Sequence, residues 1–161
     1  MPERKRGFEP VFDKNSKVLI LGSFPSVKSR EVSFYYGNKQ NRFWKMLCGH
    51  FNKEIPQDNA SKQAFLLENG IALWDMATAC EIEGSADSSV KNVEIADLTP
   101  IFQTTNIQLI LLNGTLAHQL FEARYKNVNV PYIKMPSTSP ANPRYDQQTW
   151  WRALDAVFKP Y

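Results

Sequence analysis

Short apolar runs alternate along the chain with longer segments that place their apolar side chains on one side. The strand-like runs are residues 17–22, 71–75, 107–112 and 130–135. The first and third of these are almost wholly apolar, which is typical of strands buried on both faces. The helix-like segments are residues 41–51, 59–69, 115–125 and 147–158. This alternation predicts an α/β fold with a mostly parallel sheet covered by helices on both sides.

The size of the chain favours a single domain, and its net charge does not specify a partner. A chain of 161 residues that is 43% hydrophobic can fill one core, so we expect a single domain over residues 1–161. Its net charge of +3 permits a polyanionic partner without requiring one. Cys48 and Cys80 lack metal-ligand spacing, and we expect both to be buried and unreactive. The absence of a signal-peptide pattern or a long apolar segment predicts a cytoplasmic protein that does not contact membranes.

Two segments of unusual composition follow the first strand-like run, at the sheet edge where ligands of parallel sheets bind. Residues 22–26, G-S-F-P-S, form a tight turn whose small residues leave backbone N–H groups open to a ligand. This Ser23 loop is equally compatible with a plain structural turn. In the Tyr-Tyr segment, residues 33–44, two adjacent tyrosines of an extended chain cannot both point into the core, so one should face a cleft and offer a stacking surface for a base. Asn41 can act there or cap the next helix.

The last strand-like run leads into a stiff polar loop. Residues 135–144 hold three hydroxyl side chains and three prolines. Stiffness lowers the cost of ordering a loop on a phosphate backbone, which hydroxyl and N–H groups bind without bulk. An ordinary rigid surface loop is the alternative interpretation of this Pro-Ser loop. Asp75, at the end of another strand-like run, is favoured as a structural hydrogen-bonding group over a catalytic one.

Five short motifs occur in a fixed order: G-S-F-P-S, Y-Y-G-N-K-Q-N-R-F-W, L-W-D-M, L-L-N-G-T and P-S-T-S-P-A-N. Together they resemble the uracil-DNA glycosylase superfamily over residues 17–158, most closely its hypoxanthine-DNA (deoxyinosine) branch and next the mismatch-specific uracil/thymine branch. The resemblance implies a three-layer α/β/α sandwich with a central four-stranded parallel sheet. It also implies a monofunctional, monomeric DNA N-glycosylase of base-excision repair that needs no cofactor or metal. The implied partner is double-stranded DNA containing a damaged or mismatched base.

The resemblance assigns roles near the scissile sugar. In the superfamily the loop after the first strand positions the attacking water, which implies that Ser23 takes part in the reaction, Phe24 in base binding and Ser26 in DNA binding. Many branches have Asp or Asn at the position of Ser23, so water activation here must come from elsewhere. Asn41 matches an Asn regarded as essential in the hypoxanthine branch. Asn38-Lys39 stand where His-Pro is frequent, which leaves the base preference open between hypoxanthine, uracil and mismatched thymine.

Further roles follow for the base pocket and the DNA contacts. Tyr36 matches the aromatic residue that stacks on the flipped base, and Asn113 falls where polar groups reach the base pocket, with a helix cap as its alternative. The residues implied to contact DNA are Ser137, Thr138, Ser139, Asn142 and Arg144, the last two in the gap left by the flipped base. The histidine that several branches place in the Pro-Ser loop is missing. The polar run 81–89 resembles a superfamily feature of unclear duty.

Two other functions remain open on the sequence alone. A serine-type hydrolase would use Ser23 or Ser26 as its nucleophile, but no Ser-His-Asp arrangement is recognisable. A non-catalytic DNA- or nucleotide-binding module would use the same loops without chemistry. In the glycosylase interpretation, the enzyme flips the nucleotide out, stacks the base and places a water beneath C1′. Hydrogen-bond donors would then stabilise the negative charge that develops on the base.

Overall fold

The computed structural model describes residues 4–83 and 89–158 and contains seven strands and six helices in these ranges. The strands are β1 (Arg4–Arg6), β2 (Val18–Gly22), β3 (Ile71–Asp75), β4 (Ala77–Glu81), β5 (Lys91–Ile95), β6 (Leu109–Asn113) and β7 (Tyr132–Met135). The helices are α1 (Val27–Val32), α2 (Phe43–His50), α3 (Asn59–Glu68), α4 (Thr99–Thr104), α5 (Thr115–Tyr125) and α6 (Gln147–Phe158). The four predicted strands and four predicted helices are all present, with ends that shift by at most two residues.

The centre of the fold is a parallel sheet with the strand order β3-β2-β6-β7. The register places Leu21 of β2 between Trp74 of β3 and Leu112 of β6. All five residues of β2 are buried, because neighbouring strands cover both edges and helices cover both faces. The predicted four-stranded parallel sheet is therefore confirmed, and its carboxyl edge lies beyond Gly22, Asp75, Asn113 and Met135.

Helices form a layer on each face of this sheet. Alternate residues of a strand point to opposite faces, and β2 divides accordingly. Val18 and Ile20 join a core cluster with side chains from α2, α3 and α6, whereas Leu19 and Leu21 join a second cluster with side chains from α4 and α5. This arrangement is the predicted three-layer α/β/α sandwich.

A second sheet, three-stranded and antiparallel with the order β1-β4-β5, is not predicted by the sequence pattern. Its two outer strands, R-K-R and K-N-V-E-I, are polar and contain no fully buried residue, so neither has a strand-like apolar pattern. Only Met76 separates β3 from β4, so the sequence pattern does not show them as two separate strands. Helices α1 and α4 were also missed, because each has six residues and one fully buried side chain.

Several smaller expectations can be compared with the described residues. Cys48 and Cys80 are buried free thiols, as expected, and burial raises the pKa of the Cys48 thiol to about 11. Trp150 is fully buried in the core and donates its indole N–H to the carbonyl of Pro136. Within the described ranges, no helix is long and apolar enough to cross a membrane. Of the polar run 81–89, residues 84–88 lie outside the described residues.

Candidate active site

A cleft of about 710 Å³ lies at the carboxyl edge of the parallel sheet. The Ser23 loop, the Tyr-Tyr segment, the end of β6 and the Pro-Ser loop form its walls. Every side chain proposed from the sequence for the reaction, the base or the DNA lines this one cleft: Ser23, Phe24, Ser26, Tyr36, Asn41, Asn113, Ser137, Thr138, Ser139, Asn142 and Arg144. The structure therefore brings together segments that are far apart in the chain.

The two tyrosines of the Tyr-Tyr segment have different surroundings. Tyr35 is buried in the core and donates its hydroxyl to the carbonyl of Glu9 at 2.7 Å. Tyr36 lines the cleft, and one face of its ring stacks on Phe43 with 4.0 Å between the ring centroids. The divergence does not come from an extended chain, as the sequence analysis assumed, because Ser33 and Tyr36 have left-handed backbones with φ of 60° and 53°. A turn presents Tyr36 to the cleft.

Asn113 joins three segments through its side chain. Its amide nitrogen donates to the Tyr36 hydroxyl at 3.1 Å and to the Thr138 hydroxyl at 3.0 Å. Its amide oxygen accepts the backbone N–H of Thr138 at 3.0 Å. Asn113 does not cap α5, which has Gly114 at its N-cap position and no side-chain cap. The alternative of a helix cap is therefore wrong, and Asn113 instead fixes the floor of the cleft.

Asn41 combines a local structural bond with an unpaired amide group. Its side-chain oxygen accepts the backbone N–H of Phe43 at 2.9 Å, a capping contact in the first turn of α2. Its amide nitrogen has no hydrogen-bond partner within residues 4–83 and 89–158 and belongs to a half-exposed residue that lines the cleft. The cap and an active role are thus compatible, because they use different atoms of Asn41.

Arg42 is a residue for which the sequence motifs predict no role, yet it holds the Pro-Ser loop in shape. Its guanidinium donates to three carbonyl groups of that loop, those of Thr138, Ser139 and Asn142, the last at 2.9 Å. It also lies 4.4 Å from the centroid of the Tyr145 ring. The position of Arg42 next to the candidate catalytic residue Asn41 was the signal in the sequence for a role at the site. Its hydrogen-bond partners could not be read from it, because they lie about a hundred residues away in the chain.

The residues of the Ser23 loop differ from one another in their contacts. Ser26 caps α1 by accepting the N–H of Ser29 at 3.1 Å, and the carbonyl of Ser23 accepts the N–H of Ala77 at 2.9 Å. The Ser23 hydroxyl makes no hydrogen bond within the described part of the chain. Phe24 lies under the guanidinium of Arg30, 5.6 Å from the ring centroid.

Histidine side chains lie away from the described walls of the cleft. His50 binds Asp155 at 2.8 Å, and His118 lies 3.7 Å from Glu122. A serine nucleophile in the Ser23 loop would therefore have no imidazole base beside it in the described structure. The described residues also contain no group of three or more His, Cys, Asp or Glu side chains placed to hold a metal ion.

Asp75 is the one carboxylate among the described residues that line the cleft. Only 4% of the residue is exposed, and its Oδ2 atom is buried without a hydrogen-bond partner in the described structure. The expected structural hydrogen bond to a neighbouring loop is absent there, so that expectation is wrong. Burial raises the pKa of the carboxyl group to about 7.

Asp75 and Tyr36 leave no room for a side chain at Gly22. A Cβ atom at Gly22 would lie 2.5 Å from Asp75 Oδ1 and 2.9 Å from the Tyr36 hydroxyl. A side chain at this position would therefore collide with both groups. The absence of a side chain lets the ends of β2 and β3 and the Tyr36 phenol meet on the cleft floor.

Comparisons with known proteins identify the family of this chain. Residues 9–157 match the family model described as the uracil DNA glycosylase superfamily. A hypoxanthine DNA glycosylase from Methanosarcina acetivorans is 38% identical over 155 residues, which are 93% of this chain and 97% of the relative. One of the same name from Methanosarcina barkeri is 35% identical over 69% of this chain and 72% of its own length. A solution NMR structure of a candidate uracil DNA glycosylase from Methanosarcina acetivorans superposes with a TM-score of 0.82, at 33% identity, covering 94% of this chain and 96% of that one.

Proposed function

The chain belongs to the uracil DNA glycosylase superfamily and is a DNA glycosylase, and from this premise we propose that it excises hypoxanthine from duplex DNA. Two relatives, 38% and 35% identical to it over the aligned residues, have the name hypoxanthine DNA glycosylase. The observation that supports the proposal best is the convergence of Tyr36, Asn41 and the Pro-Ser loop on one cleft. We further propose that a monomer acts through a single monofunctional domain, with uracil and mismatched thymine as lesser substrates.

The base binds against Tyr36 in this proposal. Phe43 supports one face of the Tyr36 ring, which lines the cleft, and the flipped purine stacks on the opposite face in this proposal. Stacking of a base on an aromatic ring contributes about 1–3 kcal/mol. Phe24 adds an apolar wall to the cleft. Asn113 holds the Tyr36 hydroxyl in place and reaches the base when one of its amide hydrogen bonds opens.

The attacking water lies between Asn41 and Ser23. The free amide nitrogen of Asn41 and the free hydroxyl of Ser23 can both hold a water molecule by hydrogen bonding. Neither group is a strong base. This suits a reaction in which the sugar develops oxocarbenium character before water adds, because a cationic C1′ needs little activation of the nucleophile.

The Pro-Ser loop and the cap of α1 contact the DNA backbone. The hydroxyls of Ser26, Ser137 and Ser139 lie along the cleft, where small polar groups fit against phosphates. Asn142 donates to the carbonyl of Ser137 and accepts from the N–H of Arg144, so its side chain stabilises the loop itself. The exposed Arg144 guanidinium is therefore the better candidate for the gap left by the flipped base.

Base release from defined duplexes tests this proposal. The substrates are duplexes with one deoxyinosine, uracil or thymine opposite each normal base, and the product is free base measured by chromatography. We expect hypoxanthine release by the wild type and its loss in Asn41→Ala, with affinity for a non-cleavable 2′-fluorodeoxyinosine duplex retained. Asn106→Ala, an exposed asparagine far from the cleft, is the matched control and should keep full activity. Binding without release of any base would refute the proposal.

A further inference from the structure

One buried carboxyl group in the cleft has no part in the function proposed so far. Asp75 ends β3 on the cleft floor, and its Oδ2 atom makes no hydrogen bond within the described residues. Leaving a buried polar atom without a partner costs about 1–3 kcal/mol. Such atoms are rare in native structures and call for an explanation. Here the carboxyl group lines the cleft floor, where it and the Tyr36 hydroxyl fill the space that Gly22 leaves without a side chain.

The surroundings of Asp75 favour its neutral form up to about neutral pH. The nearest titratable groups are the phenols of Tyr35 and Tyr36, and burial raises the pKa of both far above neutral pH. The backbone carbonyl of Glu9 accepts the Tyr35 hydroxyl, and the charge of Glu9 also raises the pKa of that phenol. The cationic side chains that line the cleft, within the described residues, are those of Lys134 and Arg144, and neither forms an ion pair with Asp75. Burial without a cationic partner therefore accounts for its protonation near neutral pH.

The reaction needs a proton donor that the cleft otherwise lacks. Cleavage of the N-glycosidic bond leaves the bonding electron pair on the base, and a purine departs more easily when a ring nitrogen is protonated. None of the described cleft residues is a histidine, and the Lys134 and Arg144 cations belong to exposed residues near the rim. Asp75 is the cleft side chain able to give up a proton near neutral pH.

On the basis of the proposed function, we propose that Asp75 is the general acid that protonates the departing purine. As the C1′–N9 bond breaks, its electron pair stays on the base and the carboxyl proton of Asp75 moves to N7. Hypoxanthine leaves as its neutral N7–H form, and Asp75 becomes a carboxylate. The oxygen of a water molecule bonds to C1′ and releases one proton to solvent, and the carboxylate takes one proton back from solvent. The net reaction consumes one water molecule.

The pH dependence of Asp75→Asn gives the first test. Asparagine has the same shape and can donate a hydrogen bond, but it cannot transfer a proton. Single-turnover rates are measured with a deoxyinosine duplex from about pH 5 to about pH 9. We expect the wild-type rate to fall as pH rises above about 7, and Asp75→Asn to be slower at low pH by about 10²–10⁴-fold without that descending limb. A descending limb that persists in Asp75→Asn would overturn the proposal. A wild-type rate that rises with pH, and no longer does so in Asp75→Asn, would also overturn it, because that behaviour indicates a general base.

A substrate without the proton acceptor gives a second test that needs no variant. In 7-deazadeoxyinosine a carbon replaces N7, so the base cannot take the proton there. We expect wild-type cleavage of this duplex to be slow and to lose the descending limb. The rate ratio of wild type to Asp75→Asn should shrink from its value on deoxyinosine to near unity on the 7-deaza duplex. The same ratio on both substrates would mean that Asp75 acts in some other way.

The controls separate failure of this inference from failure of the proposed function. Circular dichroism and affinity for the 2′-fluorodeoxyinosine duplex should be unchanged in Asp75→Asn, since an amide replaces a largely neutral acid of equal size. If the wild type releases no base, the proposed function itself fails. If the wild type releases hypoxanthine, but Asp75→Asn keeps the descending pH limb and the rate ratio is the same on both substrates, only the assignment of Asp75 fails.

Discussion

Arg42 allows a prediction that separates loop positioning from direct DNA contact. Its planar guanidinium reaches three carbonyl groups of the Pro-Ser loop and stacks near the Tyr145 ring. In Arg42→Lys the charge remains, but an ammonium group on a flexible stem cannot span three acceptors at once. The loop should then fluctuate when DNA is absent, and binding must order it again.

The size of this effect follows from the bonds that are lost. A hydrogen bond from a charged donor contributes about 1.5–3 kcal/mol when buried, and the half-exposed position of Arg42 lowers each value to about 1 kcal/mol because water can replace the donor. Lysine keeps one of the three bonds, so Arg42→Lys should cost about 2 kcal/mol in binding. At 25 °C this corresponds to a Kd that is about 30-fold weaker.

The assay is fluorescence anisotropy with a 2′-fluorodeoxyinosine duplex at salt concentrations from about 0.05 to 0.2 M. Arg42→Lys should weaken binding by the same factor at each concentration, because it removes no phosphate contact. Arg144→Ala is the matched comparison, and it should reduce the slope of log Kd against log salt by about 0.9, because it removes one cation that enters the gap in the DNA. A reduced slope in Arg42→Lys, or unaltered affinity, would refute the reasoning.

Substitutions at Gly22, Tyr36 and Asp75 also have defined outcomes. Gly22→Ala should lower the free energy of unfolding by about 1–3 kcal/mol in urea titrations, because its methyl group would lie 2.5 Å from Asp75 Oδ1; unchanged stability would contradict the close approach. Tyr36→Leu should weaken binding of the deoxyinosine duplex by about 1–3 kcal/mol, whereas Tyr36→Phe should lose only the Asn113 hydrogen bond, about 1 kcal/mol; equal losses would show that the ring does not stack. Burial raises the pKa of Asp75 in the folded protein to about 7 from 3.8. The free energy of unfolding should therefore fall by on the order of 4 kcal/mol as the pH rises from about 4 to 7, and Asp75→Asn should remove this dependence.

The sequence predicted the parallel sheet because its strands are nearly saturated with apolar residues. Val18–Gly22 and Leu109–Asn113 must be covered on both faces, and that requirement is visible in the residues themselves. The antiparallel sheet has no such requirement. Lys91–Ile95 presents charged side chains to solvent, and its pairing with β4 depends on where β4 lies in the fold. Local patterns therefore indicate buried parallel strands far better than exposed edge strands.

The loops of the cleft could be predicted for a geometric reason. The carboxyl ends of parallel strands share one edge of the sheet, so the segments after β2, β6 and β7 had to meet. The contacts within the cleft could not be predicted in the same way. Arg42 and Asn142 are one hundred residues apart, and neither residue type alone indicates that one holds the other. The missing hydrogen bond of Asp75 is likewise a property of its surroundings.

The hydrogen bonds of the cleft suggest why it can act on a flipped base with few catalytic groups. Asn113 binds Tyr36 and Thr138, and Arg42 binds the carbonyl of Thr138, so the stacking ring and the Pro-Ser loop share one network. A preorganised wall stabilises the transition state without further ordering when the base enters. In that setting the proton of a single buried acid such as Asp75 matters more, because a rigid, poorly solvated site provides little water to stabilise the charge that develops on the base. Loosening Arg42 should therefore affect binding first, whereas removing the Asp75 proton should affect the chemical step alone.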